Sequence, residues 1–126
     1  MPNRGDRVIS IDLPTPTGHA HNKGHWRAKV GPIKAMREMA FLLAKQAIAE
    51  HGKPKGGPVG VSYFFRVPDR RRRDAANMIQ QCKPYIDGIV DSGLIPGDHW
   101  EVLQIIEVSV VIDKENPGVT LEFEFS

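Results

Sequence analysis

Residues 59–93 read Val59-Gly-Val-Ser-Tyr-Phe-Phe-Arg-Val67, then Pro68-Asp-Arg-Arg-Arg-Arg-Asp74, then Ala75-Ala-Asn-Met-Ile-Gln-Gln-Cys-Lys-Pro-Tyr-Ile-Asp-Gly-Ile-Val-Asp-Ser-Gly93. The hydrophobic period changes within this stretch. Val59, Val61, Tyr63, Phe65 and Val67 alternate with period two, as a half-buried strand does. From about Ala75 to Asp91 the apolar residues Met78, Ile79, Cys82, Ile86, Ile89 and Val90 recur at helical spacing. Asp74 stands where an N-cap belongs and Gly93 where a helix closes. Pro84 removes one helical hydrogen bond, so it should kink or divide the helix. The expectation is a strand, a strongly basic turn and an interrupted helix.

Outward from this unit, three further segments alternate. Arg7, Ile9, Ile11 and Leu13 face one way near the start, with Val8, Ser10 and Asp12 opposite. Val102, Ile106, Val108, Val110 and Ile112 form a third stripe, interrupted by Gln104, and Val119, Leu121, Phe123 and Phe125 a fourth. Asp113-Lys-Glu-Asn-Pro-Gly118 between the last two is turn chemistry, which predicts that they pair as a hairpin. Ile33, Met36, Met39, Ala40, Leu43 and Ala47 have helical spacing, with Gly52 and Pro54 as stop signals. The order is therefore β-α-β-α-β-β. Strands with one apolar and one polar face predict an α+β, two-layer domain: a mixed sheet with helices on one face.

At 126 residues the chain is the size of one domain, 1–126. Its longest apolar run, Met39 to Ala44, is far short of the ~18 residues a membrane span requires, and no apolar leader opens the sequence. Cys82 is the one cysteine, which rules out an internal disulfide or a cysteine cage. A cytoplasmic location is the expectation. His19, His21 and His25 share one loop, but no cysteine or nearby carboxylate completes a tetrahedral zinc set.

The net charge of +2 hides a strong asymmetry. Residues 1–83 carry 16 Lys and Arg against 6 Asp and Glu, and residues 84–126 carry 1 against 9. A polyanion facing one side is the partner such a division suggests. Arg70 to Arg73 sit in a turn, followed at once by Asp74. Basic groups that grip phosphate, beside a carboxylate that holds a cation against it, are what metal-assisted phosphodiester hydrolysis needs. On the following helix Ala76, Gln80, Lys83 and Asp87 share one stripe. Beyond it, Gly93-Leu-Ile-Pro-Gly-Asp98-His99 supplies another carboxylate in a loop.

Taken together, Pro68-Asp-Arg-Arg-Arg-Arg-Asp74-x-x-Asn77, Lys83-Pro-Tyr-Ile-Asp87-Gly and Asp91-Ser-Gly-Leu-Ile-Pro-Gly-Asp98 resemble the RusA-type Holliday-junction resolvases, small endodeoxyribonucleases common in phages and prophages. The strand Arg7 to Leu13, Leu13-Pro-Thr-Pro16 and the polar loop around Asn22-Lys23-Gly24 fit the same pattern. The resemblance implies a homodimer that cuts four-way junctions with Mg²⁺ or Mn²⁺. It implies that Asp74, Lys83 and Asp98 are catalytic, and that Asp74 and Asp98, with Asp87, hold the metal. Arg70, Arg71, Arg72, Arg73 and Asn77, with Lys23, Arg27 and Lys29 from the first basic segment, are the residues expected to hold DNA. Two positions depart from the pattern: Ala76 stands where the family's second motif acid belongs, and Gly97 where the residue before Asp98 is often acidic. A non-cleaving junction-binding protein is therefore the alternative reading. Trp26 and Trp100 are expected in core or interface packing.

Overall fold

The computed structural model describes the backbone of residues 7–17 and 26–125, and the side chains of 7–17 and 31–125. Its elements are β1 (Arg7–Leu13), α1 (Trp26–His51), β2 (Val59–Val67), α2 (Ala75–Gln81), α3 (Lys83–Ser92), β3 (Leu103–Ile112) and β4 (Gly118–Phe125). This is the α+β order read from the sequence, with the second helix divided in two. The division falls where Pro84 requires it: the ring occupies the first turn of α3, where a missing N–H costs nothing. Asp74 caps α2 through its side chain, which accepts from the Ala76 N–H at 3.0 Å. Gly93 closes α3 in the left-handed region at φ 88°, a conformation that favours glycine.

The four strands form one mixed sheet in the order β1-β4-β2-β3. β4 pairs antiparallel with β1 and with β2, whereas β2 and β3 are parallel. The expected hairpin of β3 and β4 is thus corrected: β4 crosses beyond β2 and inserts between β2 and β1. Burial accounts for the choice. Val119, Leu121, Phe123 and Phe125 are buried, and in the central position β4 has a paired neighbour on each side. The crossing is held by Arg66 on β2, whose guanidinium donates to the Asn116 carbonyl, the Thr120 hydroxyl and the Asp12 carboxylate at 2.7–2.9 Å. Asp113 anchors its start by donating its N–H to the Val67 carbonyl at 2.8 Å.

The stripe read in β3 also needs correction. Residues directly opposite one another share a sheet face. Leu103 and Ile105 lie opposite Val59 and Val61, then the register shifts, and Val108, Val110 and Ile112 lie opposite Tyr63, Phe65 and Val67. A bulge at Ile106 moves the helix-side stripe from odd to even positions. Gln104 is no interruption, because it lies opposite Gly60 on the other face.

One face of the sheet is buried under the helices. Ile9, Ile11 and Leu13 of β1 join the inward residues of β2 and β4 against Met36, Ala40, Ala44, Tyr85, Ile86 and Ile89. The helices α1 and α3 approach closely at Gly88, where a Cβ would lie 2.1 Å from the Arg37 carbonyl oxygen. Beside that contact Arg37 grips Asp91 with two parallel hydrogen bonds of 2.6 and 2.9 Å. Tyr85, 1% exposed, donates its hydroxyl to the Pro14 carbonyl at 2.7 Å and ties α3 to the end of β1. Cys82 is a buried core thiol, pushed up to about 12 by burial. Among the described residues no helix is long and apolar enough to cross a membrane.

Candidate active site

Two grooves flank α2, and the candidate residues divide between them. The larger, a cavity of about 630 Å³, lies at the C-terminal end of β2 and is lined by Arg71, Arg72, Arg73, Asp74 and Asn77 among others. The second, about 500 Å³, is lined by Tyr63, Gln80, Lys83, Asp98, Trp100 and Ile105 among others. No residue lines both. Arg71 to Arg73, Asp74 and Asn77 are therefore brought together, with Arg70 outside the lining; Lys83 and Asp98 are brought together; and Asp74 and Asp98 do not line a common cavity.

The first groove owes its shape to a residue that the sequence reading passed over. Asp69 accepts the Arg71 N–H at 2.9 Å and the Arg73 guanidinium at 2.9 Å. Arg73 also donates to the carbonyls of Asp69 and Arg71. These bonds hold the Asp69 carboxyl below the usual carboxylate range, the Arg71 N–H first among them. Asp69 is thus the acid that neutralises Arg73, and its position four residues earlier was the signal in the sequence. Arg70, Arg71 and Arg72 remain exposed. The Asp74 carboxylate spends one oxygen on its helix cap, and Ala76 is exposed in the first turn of α2.

At the second groove Lys83 meets two carboxylates. The Lys83 ammonium donates both to Asp87, one turn along α3, and to Asp98 in the loop before β3. The division of the helix at Cys82 sets Lys83 at the first position of α3, where its side chain reaches that loop. The two carboxylates raise the Lys83 pKa, Asp87 before Asp98. The lysine in turn holds the Asp98 carboxyl below its ordinary range. All three groups are open to solvent, with side-chain exposures of 57%, 29% and 40%, so the contact is screened and contributes little to folding. Two carboxylates that converge on one ammonium suit a hard cation as well. Mg²⁺ takes one or two protein carboxylates and leaves its other positions to water and phosphate. Asp87 and Asp98 fit that requirement. Among the described residues no group of three or more His, Cys, Asp or Glu side chains is gathered as a metal site.

The other candidates fall as follows. His99 turns to Glu101, 3.9 Å away. Trp100 is 78% exposed, so it is not core. Lys23, Asn22, His19, His21 and His25 lie outside the described residues, as do the side chains of Trp26, Arg27 and Lys29. The backbone of Arg27 and Lys29 belongs to α1. The sequence matches no protein-family model and no curated protein.

Proposed function

We propose that the protein is a metal-dependent endodeoxyribonuclease acting on branched DNA, with four-way junctions as substrate. The observation that carries the reading is the convergence of Asp87 and Asp98 on Lys83, which with Asp98 lines a groove on the other side of the short helix α2 from the exposed arginines. The resemblance to RusA-type resolvases supports the same assignment. Asp87 and Asp98 would hold Mg²⁺ or Mn²⁺. A bound ion supplies Lewis-acid stabilisation of phosphate charge and a water of lowered pKa. The chain's own residues do the rest. Lys83, released from one carboxylate, is placed to neutralise charge building on the phosphoryl oxygens. Arg70, Arg71 and Arg72 hold flanking phosphates without reading sequence, and Asn77 lines the groove beside them. Asp74 fixes the start of α2, and with it the register of that helix between the grooves. Resolving a junction takes two symmetric nicks, which a twofold homodimer provides.

The second reading is a junction-binding protein that does not cut. The ammonium of Lys83 already occupies the point between the two acids, and Ala76 offers no third. Incubation of a labelled four-way junction with Mg²⁺, beside an EDTA control and a linear duplex of the same sequence, decides between them. Paired nicks that require the metal support the nuclease. Retention of the junction without cleavage at any Mg²⁺ or Mn²⁺ concentration supports the binding protein.

A further inference from the structure

Among the described residues Trp100 is the most exposed large apolar side chain, at 78%. It stands two residues beyond Asp98, so the two Cα atoms lie within about 7 Å of each other. It lines the groove of Lys83 and Asp98, together with Ile79 of α2 and Leu103 and Ile105 of β3. The turn that carries it is pinned, because the His99 carbonyl accepts the N–H groups of both Val102 and Leu103 at 3.0 Å. One end of the groove is thus ionic, and the wall beside it is apolar and aromatic. Phosphate chemistry does not account for that wall, since a metal ion and a phosphate engage the ionic end alone. A nucleotide has a second part, a flat base with an apolar face, joined to its phosphate through one sugar. In a paired duplex that face is covered by its neighbours in the stack. An exposed ring reaches it only where a base is unpaired.

We propose that Trp100 stacks on an unpaired nucleobase next to the phosphate engaged at Lys83, so that the preferred substrate is a junction with an unpaired base at its branch point. The occupant follows from what adjoins the groove. Arg70, Arg71 and Arg72 are exposed on the other side of α2. A nucleic acid presents phosphates to those guanidiniums and a flat ring to the indole at once. The cavity of about 500 Å³ falls in the size range of small-molecule sites. Stacking tolerates any base, because each has a π-face. Ile79, Leu103 and Ile105 offer no side-chain hydrogen bond that would prefer one base to another. The selection is therefore for an unpaired base and not for a sequence. The inference rests on the nuclease reading for the phosphate at Lys83, whereas the stacking platform would serve equally a protein that binds junctions without cutting them.

Fluorescence anisotropy in EDTA tests it with labelled DNAs: a fully paired four-way junction, the same junction with unpaired thymidines at the branch point, and a linear duplex. The wild type should bind the junction with unpaired thymidines most tightly. Trp100→Ala should weaken that complex roughly ten- to a hundredfold and leave duplex binding unchanged. Trp100→Phe, which keeps a ring, should retain most of the affinity. 5-Iodouracil at the unpaired position should cross-link under ultraviolet light to the peptide that carries Trp100. Circular dichroism and light scattering of both variants should match the wild type, since the side chain is exposed. Equal affinity of the wild type and Trp100→Ala for the unpaired-base junction overturns the proposal. So does an equal loss on the duplex, a cross-link that maps elsewhere, or an alanine variant that changes only the protein's mass in light scattering. Stacking as expected in a protein that never cuts with Mg²⁺ overturns the nuclease reading alone. Metal-dependent cutting with no effect of Trp100→Ala on binding overturns this inference alone, and a protein that binds none of the DNAs overturns both.

Discussion

Lys83 and Asp98, fifteen residues apart, are joined by an ion pair that ties the first turn of α3 to the loop before β3. The contact brings the candidate chemistry of the helix and of the loop to one point. It also makes each group's titration depend on the other.

The pH dependence follows with a definite sign. Lys83 holds the Asp98 carboxyl below its ordinary range, so its contribution to stability is complete above the unfolded carboxylate value. That contribution is lost as pH falls through the depressed folded value. Carbon-detected NMR titration of Asp98 should give a midpoint below that of an unpaired aspartate, and Lys83→Met should return it toward the ordinary value. An unchanged midpoint in the variant would mean that the pair is absent in solution.

Removing the ammonium should also free the acids for metal. Lys83→Met is expected to bind Mn²⁺ more tightly than the wild type while cutting junctions more slowly, because the competing cation and the phosphate-neutralising group are the same. Calorimetry with Mn²⁺ and single-turnover cleavage check the two halves. Weaker metal binding in the variant would place the ion elsewhere.

The cap gives a prediction about folding. Asp74→Ala should cost about 1 kcal/mol by leaving the Ala76 N–H without its acceptor, and Asp74→Asn should recover most of that. Thermal unfolding measures both. Loss of cleavage in the asparagine variant at unchanged stability then gives the carboxylate a role beyond capping.

Packing of the helices gives another. Gly88→Ala places a Cβ against the Arg37 carbonyl, and backbone has little room to yield, so we expect a loss of roughly 1–3 kcal/mol. Asp91→Asn, which weakens an exposed ion pair only, should cost no more than about 1 kcal/mol. Denaturant midpoints of the two variants compare them directly.

What was legible in the sequence was what is decided locally. The alternation in β1, β2 and β4 survived because each has one buried face. Asp74, Pro84 and Gly93 set helix ends through their own backbone requirements. The partner of β3 was not legible, since turn residues such as Asp113 and Pro117 reverse a chain without saying which strand it rejoins. Nor was its facing, because the bulge at Ile106 depends on β2 and leaves no mark in β3 alone. Within the site, Lys83 and Asp87 were neighbours by helical spacing. That Asp74 and Asp98 line different grooves follows from tertiary packing, and periodicity carries no information about it.

The account rests on Asp98 as the acid that joins Lys83 and the metal. The measurement that tests it most directly is cleavage of a labelled four-way junction by the wild type and by Asp98→Asn across a Mg²⁺ titration, with junction binding followed in the same samples. The account predicts metal-dependent cleavage by the wild type. It predicts none by the variant, whose affinity for the junction is equal or greater because a negative charge near phosphate is gone. Cleavage by Asp98→Asn at the wild-type rate would contradict it.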